Sequence, residues 1–256
     1  MTVLIEKKNK IFTVIINRPD VKNCIDEATG RALASAFREF EQDDNYSVAV
    51  LCGSGNTFCA GWDLKAGAGL DQEKVNQLSP EDDGPMGPTK MMLSKPVIAA
   101  VSGFAVAGGF ELALWCDMRV VEETAIFGVF CRRFGVPLID GGTVRLPRLI
   151  GMSNAMDLIL TGRPVDAAEA KQMGLANRVV PEGTCREEAE KLVAQIANFP
   201  QACMKNDRMS AYEQWGKSYE EAIQNEFHHG IAVIKSGETL QGATRFSKGS
   251  GRHGEF

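Results

Sequence analysis

Short apolar runs alternate with amphipathic segments through the first half of the chain. Each run ends at residues typical of turns, which is the pattern of strands that are covered on both faces. The runs lie at residues 11–16, 47–52, 96–101 and 118–121. Between the first two runs, apolar residues at helical spacing predict a helix that Asp26 caps and that extends to about Phe40. Strands separated by helices predict an α/β fold.

From about residue 141 the apolar pattern becomes helical. The stretch 140–143, Asp-Gly-Gly-Thr, predicts one helix start, and Ser153 and Asp166 are predicted to cap the next two helices. We expect one further strand at residues 176–181. Four further helices are expected at residues 182–197, 201–212, 218–234 and 238–246. No linker rich in proline or serine divides the chain, so we predict one α/β core with a helical C-terminal section that packs on it.

Residues 66–90 interrupt this alternation. They are rich in glycine, proline and acidic residues and carry little apolar periodicity. Such a composition is typical of a long surface loop or a short helix.

The charge balance narrows the possible partners. The 256 residues include 33 acidic and 28 basic side chains, a formal net charge of -5. This sign opposes polyanions, so we expect no general nucleic-acid binding. The N-terminal residues lack the features of a signal peptide, and no apolar run reaches the length of a transmembrane helix. We therefore expect a cytoplasmic protein without a membrane span.

Cysteine and histidine usage bears on disulfides and metals. The seven cysteines include no C-x-x-C pair, and several lie in apolar runs. Buried free thiols in a reducing compartment are favoured over a disulfide framework. All three histidines lie within residues 228–253, so we expect no zinc site of histidine and cysteine ligands.

Two glycine-bearing turns follow apolar runs and carry the candidate chemistry. The first is FCAGWDLK at 58–65, and the second is GFAVAGGFEL at 103–112, where paired glycines begin a helix. N–H groups at a helix start lack partners in the helix, and glycine allows close approach. If adjacent strands bring the turns together, two N–H groups can point at one oxygen, as in an oxyanion hole. The alternative is two ordinary turns. Neither a P-loop nor a dinucleotide-binding motif is present.

The order of these motifs carries a family resemblance. The segments FCAGWDL, KPVIAAVSGFAVAGGFELALWCD, AIFG and DGGTVRLPRLIG resemble the crotonase superfamily of enoyl-CoA hydratases and isomerases. The resemblance extends from about residue 16 to residue 181. It implies a crotonase-like spiral of ββα units over residues 1–195 and a helical C-terminal trimerisation region over residues 196–256, in a homotrimer or dimer of trimers. It also implies an acyl-CoA thioester as substrate, with no cofactor beyond the coenzyme A of that substrate.

The resemblance also assigns binding residues. In this superfamily two backbone N–H groups hold the thioester oxygen, and the matching positions are Trp62 and Gly108. Trp62 and the 66–90 segment are expected to line or cover the acyl pocket. Lys22 and Lys65 match positions of cations near the nucleotide or its phosphates, although each is alternatively a solvated surface residue. The remaining positions implied for substrate binding are Ala60, Asp63 and Leu64, and Lys248 and Arg252 of the tail are candidates for a neighbouring subunit's site.

The acid–base residues are where the chain departs from the family. A hydratase of this superfamily holds a water between two glutamates. Glu111 matches the first, but Cys131 stands at the second position, twenty residues further on. Asp140 is one candidate replacement, because it lies one residue from a position where some isomerases and dehalogenases keep an aspartate; alternatively it is an N-cap. Cys131 itself is the other, as an acid or nucleophile beside adjacent arginines, with a plain buried cysteine as the alternative.

The resemblance, together with the retained Glu111, implies an acyl-CoA lyase, an enoyl-CoA hydratase that stabilises an enolate-like intermediate in an oxyanion hole. An isomerase or another single-carboxylate reaction is the first alternative, because the second glutamate is missing. A non-catalytic acyl-CoA binder is the second alternative. The acyl chain and the pathway are not determined by the sequence.

Overall fold

The computed structural model describes residues 1–8, 10–68 and 79–251. It divides into two compact units, Met1–Ala194 and Gln195–Phe256. No helix in these ranges combines the length and apolar character that crossing a bilayer requires. All seven cysteines are free thiols.

The described part of the first unit contains two sheets. Their strands are β1 (Val3–Lys8), β2 (Ile11–Ile16), β3 (Ala49–Gly53), β4 (Val97–Val101), β5 (Phe104–Val106), β6 (Met118–Glu122), β7 (Ile126–Gly128), β8 (Val165–Asp166) and β9 (Arg178–Val180). One sheet has the order β1-β2-β3-β4-β6-β9 and is parallel except for the β1–β2 pair. The other has the order β5-β7-β8. β4 is buried along its whole length, so this strand is covered on both faces.

The strands predicted at 11–16, 47–52, 96–101, 118–121 and 176–181 are confirmed, with ends that shift by up to two residues. The sequence analysis missed β1, an antiparallel edge strand whose last four residues are exposed. It also missed β5, β7 and β8, which have only two or three residues each. Such short strands cannot show an alternating pattern.

Helices cover most of the remaining described chain. They are α1 (Glu27–Gln42), α2 (Leu64–Gly67), α3 (Gly108–Trp115), α4 (Gly142–Ile150), α5 (Met152–Thr161), α6 (Ala167–Gln172), α7 (Cys185–Ala197), α8 (Gln201–Glu213), α9 (Tyr219–Lys235) and α10 (Glu238–Ser247). The predicted caps Asp26 and Asp166 are confirmed, because each carboxylate accepts a backbone N–H of its helix. Ser153 as a cap is wrong, since α5 begins at Met152 after Gly151.

The core joins α1 to the sheet and to α3. Phe37 and Phe40 lie on the buried face of α1. The Phe40 ring packs against Phe12 of β2 at a centroid distance of 5.2 Å, and Phe37 meets Trp115 of α3 edge-on at 4.8 Å. Burying each such side chain stabilises the fold by about 2 kcal/mol.

Arg119 fixes the far end of α3 to the sheet. It lies in β6 and is 1% exposed. Its guanidinium donates to the carbonyl oxygens of Ala113 (3.2 Å), Cys116 (2.8 Å) and Leu175 (2.7 Å). Each is a charge-assisted hydrogen bond in a buried setting. The helix whose N-terminus carries the second glycine turn is thereby held at its C-terminus.

This arrangement generates a stability prediction. Arg119→Met leaves these carbonyl oxygens without the guanidinium donor, so we expect the free energy of unfolding to fall by about 4 kcal/mol. Urea unfolding measures the loss. The control is Arg178→Met at an exposed position, for which we expect a change within about 0.5 kcal/mol. Equal effects of the two variants would contradict the role assigned to Arg119.

Candidate active site

The two glycine turns lie side by side. Cys59 and Ala105 form a parallel bridge, with hydrogen bonds from Cys59 N to the Phe104 oxygen (2.9 Å) and from Val106 N to the Cys59 oxygen (3.1 Å). Gly61 has φ of 101°, and a Cβ at this position would lie 3.1 Å from the amide nitrogen of Gly108. Only glycine permits both this conformation and this approach. The expected meeting of the two turns is confirmed.

The main-chain hydrogen bonds of the first turn orient the Trp62 amide. The Gly61 oxygen accepts from Ile25 N (2.9 Å), and Asp63 N donates to the Ile25 oxygen (2.8 Å). The Gly61 carbonyl and the Asp63 N–H both point to Ile25. In an extended segment the N–H of the residue between them, Trp62, therefore points to the opposite side. Gly108 is the first residue of α3, where an N–H has no partner in its own helix. Neither amide has an acceptor among the residues that the structure describes.

Met86 covers the second turn. A Cβ on Gly108 would lie 2.5 Å from Met86 Sδ, so the thioether rests directly on the glycine. Met86 is buried and belongs to the segment 66–90, for which the sequence predicted a long surface loop or a short helix. Residues 69–78 of this segment lie outside the described residues. The described remainder includes the end of α2 and a 3₁₀ helix, Pro88–Lys90. The Trp62 ring packs on Gly67 of α2.

Glu111 lies in the first turn of α3 and is 3% exposed. Its Oε1 accepts hydrogen bonds from the backbone N–H groups of Asp140 (2.9 Å) and Gly142 (2.8 Å). Burial raises the pKa of Glu111 to about 7; the charge of Asp140 adds to the rise, whereas the two N–H donors and Arg145 lower the pKa. A carboxyl group with this pKa can both accept and release a proton at neutral pH.

Asp140 is also buried, and its carboxylate accepts hydrogen bonds from two other residues. Oδ1 accepts from Met86 N (3.1 Å) and from the hydroxyl of Thr89. Burial is the largest influence on the carboxyl group and raises its pKa. The N-cap alternative is wrong, because Gly141 precedes α4 and no side chain caps that helix.

Burial raises the pKa of the Cys131 thiol, and the charge of Glu111 adds to the rise. The residue belongs to a 3₁₀ helix, Phe130–Phe134. Arg132 donates to the Ile159 oxygen, and Arg133 donates to the Gly162 oxygen. These features favour a neutral thiol over a thiolate nucleophile.

The residues predicted to bind coenzyme A lie around the first turn. Lys22 Nζ sits 5.0 Å above the Phe104 ring, and the Lys22 oxygen accepts from Ala60 N. Leu64 and Lys65 are exposed. Asp63 caps α2 and pairs with Arg18.

Two further positions are placed by the structure. Lys248 is exposed at the end of α10, whereas Arg252 lies outside the described residues.

The sequence analysis did not identify Met86, Thr89 and Arg145 as site residues. Arg145 of α4 donates to the carbonyl oxygens of Asp140 (2.9 Å) and Thr89 (2.6 Å). Thr89 and Asp140 are 51 residues apart in the chain. No local pattern links residues at this separation; the one available signal was an apolar Met86 within a polar segment.

Comparisons with known proteins bear on the family and the fold. A family model described as enoyl-CoA hydratase/isomerase matches residues 6–248. The chain is 36% identical to enoyl-CoA hydratase EchA19 of Mycobacterium tuberculosis, with 96% of this chain and 93% of that protein covered. It is 37% identical to carnitinyl-CoA dehydratase of Proteus mirabilis, with 75% and 72% covered. A crystal structure of enoyl-CoA hydratase EchA1 from Mycobacterium marinum matches with a TM-score of 0.90 at 33% identity, covering 96% of each chain. The chain therefore has the mixed α/β crotonase fold and belongs to the enoyl-CoA hydratase/isomerase family.

Proposed function

We propose that the protein is an enoyl-CoA hydratase that adds water to a 2-enoyl-CoA thioester. The observation that carries the proposal is the buried Glu111, with a pKa near 7, on the helix that begins at the second glycine turn. The names of the relatives support it, since one is a hydratase and another a dehydratase.

The paired turns serve as the oxyanion hole in this proposal. The N–H groups of Trp62 and Gly108 donate to the thioester oxygen, on which negative charge builds up when the β-carbon is attacked. Each backbone donor of this kind stabilises the transition state by about 3 kcal/mol. Lys22 and Lys65 attract the phosphates, and the Trp62 ring borders the acyl chain.

Glu111 performs the proton transfers. As the carboxylate it takes a proton from water while the water oxygen bonds to the β-carbon and the π electrons move to the thioester oxygen. The protonated Glu111 then gives that proton to the α-carbon as the C=O bond reforms. Hydroxyl and hydrogen are thus added across the double bond with one carboxyl group.

The replacement of the second glutamate by Cys131 supports an alternative. A single carboxylate can remove a proton from one carbon of an enoyl thioester and return it to another, which is isomerisation. A non-catalytic acyl-CoA binder would use the same oxyanion hole without turnover. Assays with crotonyl-CoA and a 3-enoyl-CoA, beside binding of butyryl-CoA, separate the three functions.

We also propose that the C-terminal unit supports a homotrimer or a dimer of trimers. On α9, Tyr219, Ile223, Phe227 and Ile234 are 46–77% exposed and lie at spacings of four, four and seven residues. This spacing gives one apolar stripe, and such stripes are typical of interfaces. A monomer in light scattering would contradict the proposal.

Gly108→Pro tests the oxyanion hole. Proline removes the N–H group at a helix position that tolerates the residue. Gly108→Ala is the matched control, because it adds a Cβ against Met86 but retains the N–H group. We expect kcat for crotonyl-CoA hydration to be about a hundredfold lower in the proline variant than in the alanine variant. Equal kcat values in two folded variants would refute the assignment.

Glu111→Gln tests the acid–base role. We expect this substitution to lower activity and to raise stability. We expect kcat to fall about a thousandfold. A pKa raised from 4.5 to about 7 means that the folded protein favours protonated Glu111, so this contribution is present below pH 4.5 and is lost as the pH rises through 7. Glutamine is always neutral; its stability advantage over the wild type should grow by about 2 kcal/mol between about pH 5 and pH 8. Full activity with this stability gain would make Glu111 purely structural.

Cys131→Glu tests whether the missing carboxylate limits hydration. We expect kcat for hydration of crotonyl-CoA to rise about tenfold, because a second carboxyl group can share the proton transfers. Cys131→Gln provides similar bulk without an ionisable group and should not show the rise. An increase in both variants would assign the effect to side-chain size.

A further inference from the structure

Asp140 contacts both the segment that covers the second glycine turn and the acid–base residue Glu111. Its carboxylate accepts from Met86 N and from the Thr89 hydroxyl, while its own backbone N–H donates to Glu111 Oε1. The side chain therefore contacts the segment 84–89, and the main chain contacts the acid–base residue. Asp140 is 3% exposed, so these hydrogen bonds form out of contact with bulk water.

The segment 84–89 is held from several sides. A Cβ at Gly84 would lie 2.2 Å from Asp140 Oδ1, which shows how closely the carboxylate approaches the chain there. A Cβ at Gly30 of α1 would lie 2.7 Å from the Pro85 oxygen on the other side. Arg145 donates to the carbonyl oxygens of Thr89 and Asp140. The contacts from Gly30 and Arg145 are made to neighbours of Met86, whereas the Asp140 carboxylate binds the amide of Met86 itself.

Met86 connects the Asp140 carboxylate with the second glycine turn. Its sulfur rests on Gly108, whose N–H is a proposed donor to the substrate. A shift of Met86 would change both the space above the turn and the shielding of that N–H from water. Shielding matters because hydrogen bonds to a developing charge are stronger where water is excluded.

We propose that Asp140 is a positioning residue: its carboxylate fastens Met86 over the Gly108 turn while its amide orients Glu111, so that one residue sets the geometry of oxyanion hole and acid–base group together. The proposal rests on the function proposed above. It assigns the buried carboxylate a task other than direct proton transfer to substrate.

The charge of Asp140 supplies a readout that a purely structural contact would not change. The charged or titratable groups around Glu111 are Asp140, Arg145 and the Cys131 thiol, and Lys90 and Arg145 act on Asp140. Removing the negative charge of Asp140 leaves Arg145 unopposed at Glu111. The ionisation of Glu111 then moves to lower pH, whichever of its forms the rate-limiting step requires.

The test compares Asp140→Asn, Asp140→Ala and Thr89→Val. Asparagine retains an oxygen that can accept from Met86 N and Thr89, but it removes the charge; alanine removes both; valine removes only the hydroxyl donor. Matched controls are Asp157→Asn and Thr161→Val, two exposed positions on α5. For each variant we measure the affinity for butyryl-CoA, a saturated thioester that does not react, and the pH dependence of kcat/KM with crotonyl-CoA.

Positioning predicts a specific pattern. Asp140→Ala should weaken butyryl-CoA binding about tenfold and Thr89→Val about threefold, in proportion to the hydrogen bonds lost. Asp140→Asn should bind within about twofold of the wild type and keep most of kcat, with the acid–base limb of kcat/KM about half a pH unit lower. The controls should resemble the wild type in both measurements.

Other outcomes are equally informative. If Asp140→Asn loses as much kcat as Asp140→Ala while both bind butyryl-CoA normally, Asp140 transfers protons itself and the proposal is overturned. Wild-type behaviour in all three variants also overturns it. If the wild type turns over no enoyl-CoA but the binding pattern holds, the proposed function fails and the positioning role stands.

Discussion

The close backbone contact between residues 59–62 and 105–109 is the constraint on which the site depends. Cys59 and Ala105 are completely buried and paired in a parallel bridge, so the contact is part of the core. Gly61 lacks the Cβ that would collide with Ala107 at 2.9 Å. A side chain at position 61 would force the two turns apart and disrupt the oxyanion hole proposed for the amides of Trp62 and Gly108. Catalytic geometry and core packing are therefore set by the same atoms.

A second constraint is the balance of forces on Glu111. Burial and the neighbouring Asp140 charge favour the protonated carboxyl group, while two backbone N–H donors and Arg145 favour the carboxylate. The opposing effects leave a pKa near neutrality, which suits a group that must take and return one proton. In the proposed mechanism Glu111 carries both transfers, because Cys131 is a neutral thiol where the family has a second glutamate.

Two of the three predicted helix caps are confirmed, whereas Ser153 is not a cap. Asp26 and Asp166 predicted helix starts because an N-cap needs only a side-chain oxygen and an N–H group three residues away. Strands β2, β3, β4 and β6 of the larger sheet were recognised because each has five or six mostly buried residues. The glycine turns indicated an oxyanion hole, and the ordered motifs indicated the family. The oxyanion hole itself and the roles assigned to Glu111, Cys131, Asp140, Lys22 and Lys65 stay predictions.

The sequence by itself determined the α/β class, the family and the position of Glu111, because these follow from periodicity, caps and motif order along the chain. Only the tertiary structure decided that Met86 rests on Gly108 and that the Asp140 carboxylate turns to Thr89 instead of capping α4. It also decided that Cys131 lies in a 3₁₀ helix. The contacts of Met86 and Asp140 join residues 22 to 54 positions apart, and which of several polar or apolar groups become neighbours depends on how whole elements pack. Hydrogen bonding and burial at such separations leave no trace in local spacing.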